Sequence, residues 1–152
     1  MTPLDLSIRR PRPVREQLAG IAYLPRAIDK VRAGLPGGNL GPFVVLAEGV
    51  RTLSAGMYHV LRFTHEEFVN AVVDAEDDDA VGRWVRTRVD DQSIMNWNDG
   101  VLTRRIADIT GITRERMLAG HPCAADMAPE ALLVDMFDAD DAAVYADRSG
   151  SR

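Results

Sequence analysis

The sequence predicts an all-α fold: a single small domain over residues 1–148 with about six helices, and place for one short strand or hairpin. Three observations predict it. Apolar residues recur at helical spacing, as in Leu24, Ile28, Val31 and Leu35. Helix-start signals precede such runs, including Pro25 at a first helical position and the capping box Thr64-His65-Glu66-Glu67. Little of the chain reads as strand.

Pro3, Pro11 and Pro13 oppose helix, so residues 1–13 read as an extended basic lead-in. Residues 14–23 read as a short helix with Val14, Leu18 and Ile21 inward. The next helix spans Leu24 to Gly34, with Gly34 in a left-handed closing conformation and Pro36 preventing resumption. Residues 34–42, rich in Gly and Pro, form a loop. Phe43, Val44, Val45 and Leu46 form a short strand or an apolar lead-in. Val50, Leu53, Met57 and Leu61 mark another helix. The Thr64 capping box starts one that buries Phe68 and Val72. Asp77, Asp78 and Asp79 precede a helix carrying Val81, Trp84, Val85 and Val89, where carboxylates offset the positive end of the dipole. A further helix begins near Ser93 and presents Ile94, Trp97, Val101 or Leu102, and Ile106. Thr113 caps a short helix through Leu118. Pro129 opens the last, with Leu132, Leu133, Met136 and Phe137. The chain frays after Tyr145, leaving 149–152 as a disordered tail.

Composition narrows the function classes. The chain has 152 residues, 46% apolar and 27% charged, enough for a core without disulfides. Its one cysteine, Cys123, excludes an internal disulfide framework and fits a reducing compartment. No stretch has the length of a membrane span, and the first six residues hold no signal-like apolar run. A cytoplasmic protein is therefore expected. Net charge is −5 overall, yet residues 1–32 carry seven cations against three carboxylates, a local +4. The simplest account is that this basic segment docks on the acidic remainder of its own chain. Nucleic acid is an unlikely partner for so acidic a protein. Self-association into a homo-oligomer stays open. Arginine outnumbers lysine 17 to 1, as GC-rich codon usage would produce, and Lys30 is the single exception.

The run Leu24-Pro25-Arg26-Ala27-Ile28-Asp29-Lys30-Val31-Arg32-Ala33 resembles a motif of a bacterial family, domain of unknown function 5069. Supporting features follow in order: Leu4-Asp5-Leu6, Pro13-Val14-Arg15-Glu16, Leu40-Gly41, Glu66-Glu67-Phe68, Trp84-Val85-Arg86, Trp97-Asn98 and Phe137-Asp138-Ala139-Asp140. The chain departs from the pattern in its apolar stretch at residues 43–46 and in a longer segment at 110–129, which could shape a pocket lid. The resemblance implies no substrate.

The candidate chemistry centres on the same helix. Arg26, Asp29 and Lys30 lie roughly opposite the Leu24, Ile28 and Val31 face, an arrangement that ordinary solvated ion pairs would also produce. An ammonium, unlike a guanidinium, can lose its proton when desolvated or set beside another cation, and Arg26 is one turn away. A deprotonated Lys30 could act as general base or form an imine with a carbonyl. Lys30 and Asp29 are thus the candidate catalytic pair, and Arg26 the anion-binding residue. Tyr23, just before the helix, is a candidate ligand contact, although a half-buried tyrosine with a wet hydroxyl is the plainer reading. Trp97 and Asn98 are candidate pocket-wall residues carried by the resemblance. His121 and Cys123, even with His59 and His65, lack the paired spacing of a zinc site, and the acidic runs miss the calcium-loop pattern. No metal and no cofactor is expected, and His65 reads as solvated. The expected function is binding of a small anionic or carbonyl metabolite, with cofactor-independent catalysis (a lyase, isomerase or cyclase) left open. The alternative is a non-catalytic module that meets a protein through its basic N-terminal surface.

Overall fold

The computed structural model describes residues 1–49 and 51–149. Among them are seven α-helices and one two-stranded hairpin, so the fold is mainly helical, as expected. The chain divides into two compact units, Met1–Asn98 and Asp99–Arg152.

In the first unit the hairpin pairs β1 (Gln17–Leu18) with β2 (Ile21–Ala22), where a helix was expected. The reason is the turn between them. Ala19 and Gly20 both have positive φ, 53° and 78°, the backbone that a two-residue hairpin turn of the right twist requires. Val14 and Ile21 are fully buried as predicted, but from loop and strand. The helices are α1 (Leu24–Gly34), α2 (Leu53–Leu61), α3 (His65–Asp74), α4 (Asp78–Arg86) and α5 (Asp91–Leu102), whose last four residues belong to the second unit. Helix α1 has Pro25 in its first turn, and its inward residues Leu24 and Ile28 are completely buried. Gly34 does not supply the left-handed cap. The helix ends on Leu35 in extended conformation, and the positive φ falls later, at Gly37. A Cβ at Gly38 would lie 2.6 Å from the Ala33 carbonyl oxygen, so only glycine lets the loop fold back so closely on α1.

Thr52 caps α2 by accepting from Ala55 N–H; Val50, expected in that helix, lies outside the described residues. The capping box of α3 has both halves: Thr64 Oγ1 accepts from Glu67 N–H, and Glu67 accepts from Thr64 N–H. Asp77 caps α4 through Ala80 N–H. Helix α5 starts before Ser93, because Asp90 accepts from both Ser93 N–H and its hydroxyl and so caps the helix earlier. Tyr58, Phe63, Phe68 and Trp84 form an aromatic cluster with neighbouring centroids 5.3–6.4 Å apart.

The second unit holds α6 (Gly111–Gly120), α7 (Leu133–Ser149) and two 3-10 turns, Ile106–Asp108 and Pro122–Asp126. Ile106, Ile109, Met117, Ala124, Leu133 and Met136 make its core. Here the helix starts differ from expectation. Thr113 lies inside α6, whose first residue Gly111 has a positive φ of 58°. Pro129 sits before α7, in a turn whose carbonyl accepts from Ala107 N–H. Helix α7 continues past Tyr145 to Ser149; residues 150–152 of the expected disordered tail lie outside the described residues.

Candidate functional site

Helix α1 is buried on its polar face as well as on its apolar one. Arg26, Asp29 and Lys30 are 3%, 5% and 9% exposed, so the solvated-face reading does not hold. Two irregular segments cover them. The lead-in delivers Arg12 to Asp29, and the loop after α1 delivers Phe43 and Val44 to Arg26 and Lys30.

The Asp29 carboxylate is fully engaged. It accepts from Arg12 backbone N–H at 2.8 Å and from Arg12 Nε and Nη2 at 2.8–3.1 Å. Arg12 also pairs with Asp78 at the start of α4. Burial opposes the Arg12 charge, and the hydrogen bonds and charges of Asp29 and Asp78 outweigh it, so the guanidinium holds its proton more firmly than usual. Arg26 donates to the Arg12 carbonyl at 3.2 Å. Arg12 thus ties the lead-in to α1 within the same basic segment through Asp29, and to α4 in the acidic remainder through Asp78.

Lys30 is different. Its ammonium donates to the Val44 carbonyl at 2.9 Å, and no carboxylate among the described residues lies within ion-pair distance. It lies 5.7 Å from the Phe43 ring centroid, and Arg26 lies 5.2 Å from the same ring. Lys30 lines a groove of about 420 Å³ between the α1 C-terminal half, residues 40–46 and the start of α3. The other lining residues are apolar except His65.

His65, expected to be solvated, is half-buried at this groove. Its Nδ1 lies 3.3 Å from the Tyr58 hydroxyl. Burial lowers the His65 pKa and so favours the neutral ring. Burial also raises the Tyr58 pKa, with Tyr23 adding to the effect and a hydrogen bond with Ser54 opposing it. Ser54 in turn lies 2.8 Å from the Tyr23 hydroxyl. Tyr23 and Ser54 thus form one hydroxyl pair in the core, and Tyr58 pairs with His65. With Tyr58 donating, Nδ1 accepts, and the imidazole proton sits on Nε2.

The remaining candidates are not at the groove. Tyr23 is fully buried, so the half-buried, wet-hydroxyl reading is corrected: its hydroxyl meets Ser54 and its ring meets Trp97 edge-on at 6.2 Å. Trp97 Nε1–H donates to the Ala22 carbonyl at 2.8 Å. The Asn98 amide accepts from Ala22 N–H and donates to the Gly20 carbonyl. Trp97 and Asn98 thus clamp the hairpin. In the second unit, His121 Nδ1 lies 2.8 Å from Asp140, and Cys123 is half-buried with its thiol pKa raised by burial and by Asp140. Residues 110–129 of the second unit fold into α6 and the second 3-10 turn. Among the described residues, no three His, Cys, Asp or Glu side chains gather as metal ligands. No helix among them is long and apolar enough to cross a membrane.

Sequence reasoning missed Arg12, Phe43 and His65 as neighbours of the α1 polar face. The departure at residues 43–46 was a signal for Phe43. No local pattern links Arg12 to Asp29, 17 residues away.

No curated protein matches this chain. The sequence model of the family described as Domain of unknown function (DUF5069) matches residues 8–143. That span includes α1, the groove and every residue around Lys30 described above, and the chain belongs to this family.

Proposed function

We propose that this protein binds a small anionic or carbonyl metabolite in the α1 groove, and that Lys30 meets the ligand's charged or reactive group. One observation carries the reading. A lysine ammonium, 9% exposed, lies on the wall of a largely apolar groove with a single backbone carbonyl as its hydrogen-bond partner among the described residues. Buried ammonium groups are expensive unless compensated, and one neutral acceptor compensates little. A ligand anion would complete the set. With a carbonyl ligand, Lys30 would give up a proton, add to the carbon and release water as an imine forms. Asp29, held on both oxygens by Arg12, acts as a positioning residue for α1 rather than as a proton carrier. The lone thiol and the Arg-rich composition support a cytoplasmic setting in a bacterium with a GC-rich genome.

A thermal-shift screen tests the reading, using carbonyl metabolites, amino acids, nucleotides, divalent metals and short DNA against wild type and Lys30→Arg. A ligand at 100 times its dissociation constant adds about 2.7 kcal/mol of stability. A small metabolite that stabilises wild type and not the variant supports the proposal. Equal shifts in both proteins, or shifts only with DNA, refute it.

A further inference from the structure

Only two of the eleven residues lining the groove, Lys30 and His65, carry polar side chains. This composition constrains the ligand. A single ammonium balances a single negative charge. It has three donors, and Val44 takes one, leaving two for the two oxygens of a carboxylate. A phosphate would want more. The helix start closest to the groove, that of α3, does not offer it: Thr64 already takes the Glu67 N–H, and the Glu67 carboxylate folds back over the same turn. The rest of the groove asks for an apolar body. Val44 and Leu46, on its wall, are 52% and 47% exposed and would be covered by one.

We propose that the ligand is an aliphatic monocarboxylate: a carboxylate on Lys30, and a hydrocarbon body of about six to ten carbons along Val45, Leu46 and Val69, as suits a groove of this size. The inference rests on the Lys30 reading above and adds the class of ligand to it. Arg26, on the same Phe43 ring, contributes positive potential without occupying the groove. His65 is held in place by Tyr58 and offers one further hydrogen bond at the groove wall.

The test is a calorimetric titration of the intact chain with acetate, butanoate, hexanoate and octanoate, and with phosphate, succinate and 1-octanol as controls. Affinity should rise roughly threefold with each added methylene that enters the groove. Lys30→Met should weaken octanoate at least tenfold. Leu46→Glu, at a half-exposed position that does not challenge folding, should weaken it at least fivefold and so provides an answer should Lys30→Met fail to fold. Equal binding of 1-octanol and octanoate, or octanoate binding indifferent to both substitutions, overturns the inference. Tight, Lys30-dependent binding of phosphate or succinate with no chain-length dependence also overturns it, and leaves the Lys30 reading standing. Absence of Lys30-dependent binding by any of these anions overturns this ligand class, and the broader metabolite screen then decides the reading on which it rests.

Discussion

Lys30 and Asp29 sit side by side on α1, yet their surroundings differ: Lys30 donates to one backbone carbonyl, and Asp29 is held by Arg12. Asp29 is matched atom for atom by Arg12, so its removal should be felt in stability. Asp29→Asn leaves the Arg12 guanidinium with Asp78 alone, and unfolding in urea should show a loss of about 2 kcal/mol, below the value for a wholly buried pair because Arg12 is partly exposed. His65 makes a second prediction. Its folded-state pKa is depressed by burial, so the native state takes up its proton later than the unfolded chain does. Its contribution is therefore complete above the ordinary value of 6.5 and is lost as pH falls through the lower, folded value. Stability should decline in that window in wild type, and His65→Gln should flatten the decline. Glu67 and Asp90, whose cap hydrogen bonds lower their pKa values, add a separate acid limb below about pH 4.5 that His65→Gln leaves intact.

Elements show where sequence patterns are informative and where they are not. Helix α1, the α3 capping box and the Asp77 start of α4 were legible because their signals are local: a proline, a hydroxyl and a carboxylate at fixed offsets. The hairpin was not. Val14, Leu18 and Ile21 have a spacing that fits a helix face, and the deciding feature is the positive-φ pair at Ala19 and Gly20, which Asn98 secures from far along the chain. The family resemblance brought Asn98 and Trp97 forward, but it could not say that their partners are backbone atoms of Gly20 and Ala22. Asn98→Ala leaves the Ala22 N–H without its acceptor and should cost about 1–3 kcal/mol in chemical denaturation. Ligand affinity per folded molecule should not change, because Asn98 does not line the groove.

For the whole molecule, charge asymmetry was readable and its meaning is structural at Arg12. The lead-in is not a free arm. Leu6 is fully buried, Leu4 and Leu6 exchange backbone hydrogen bonds with Arg32 and Asn39, and Arg12 anchors the segment to α1. Deleting residues 2–12 removes a buried leucine and an ion pair, together about 4 kcal/mol, and should lower the melting temperature by roughly 10 °C. A truncated chain that melts like wild type would make the lead-in a mobile arm. Composition and periodicity gave the fold class, and the lone lysine pointed to the proposed site. What they could not give is burial, because the cover over Arg26 and Lys30 comes from loops whose positions no periodicity encodes. That same lone lysine makes ligand contact at the groove directly measurable. In a chain labelled with 13C and 15N lysine, a single side-chain Cε resonance reports on Lys30 alone. Binding at the groove predicts that this resonance shifts and saturates at the same ligand concentration as the thermal stabilisation. A ligand that stabilises the protein while the Lys30 signal stays where it was would contradict it.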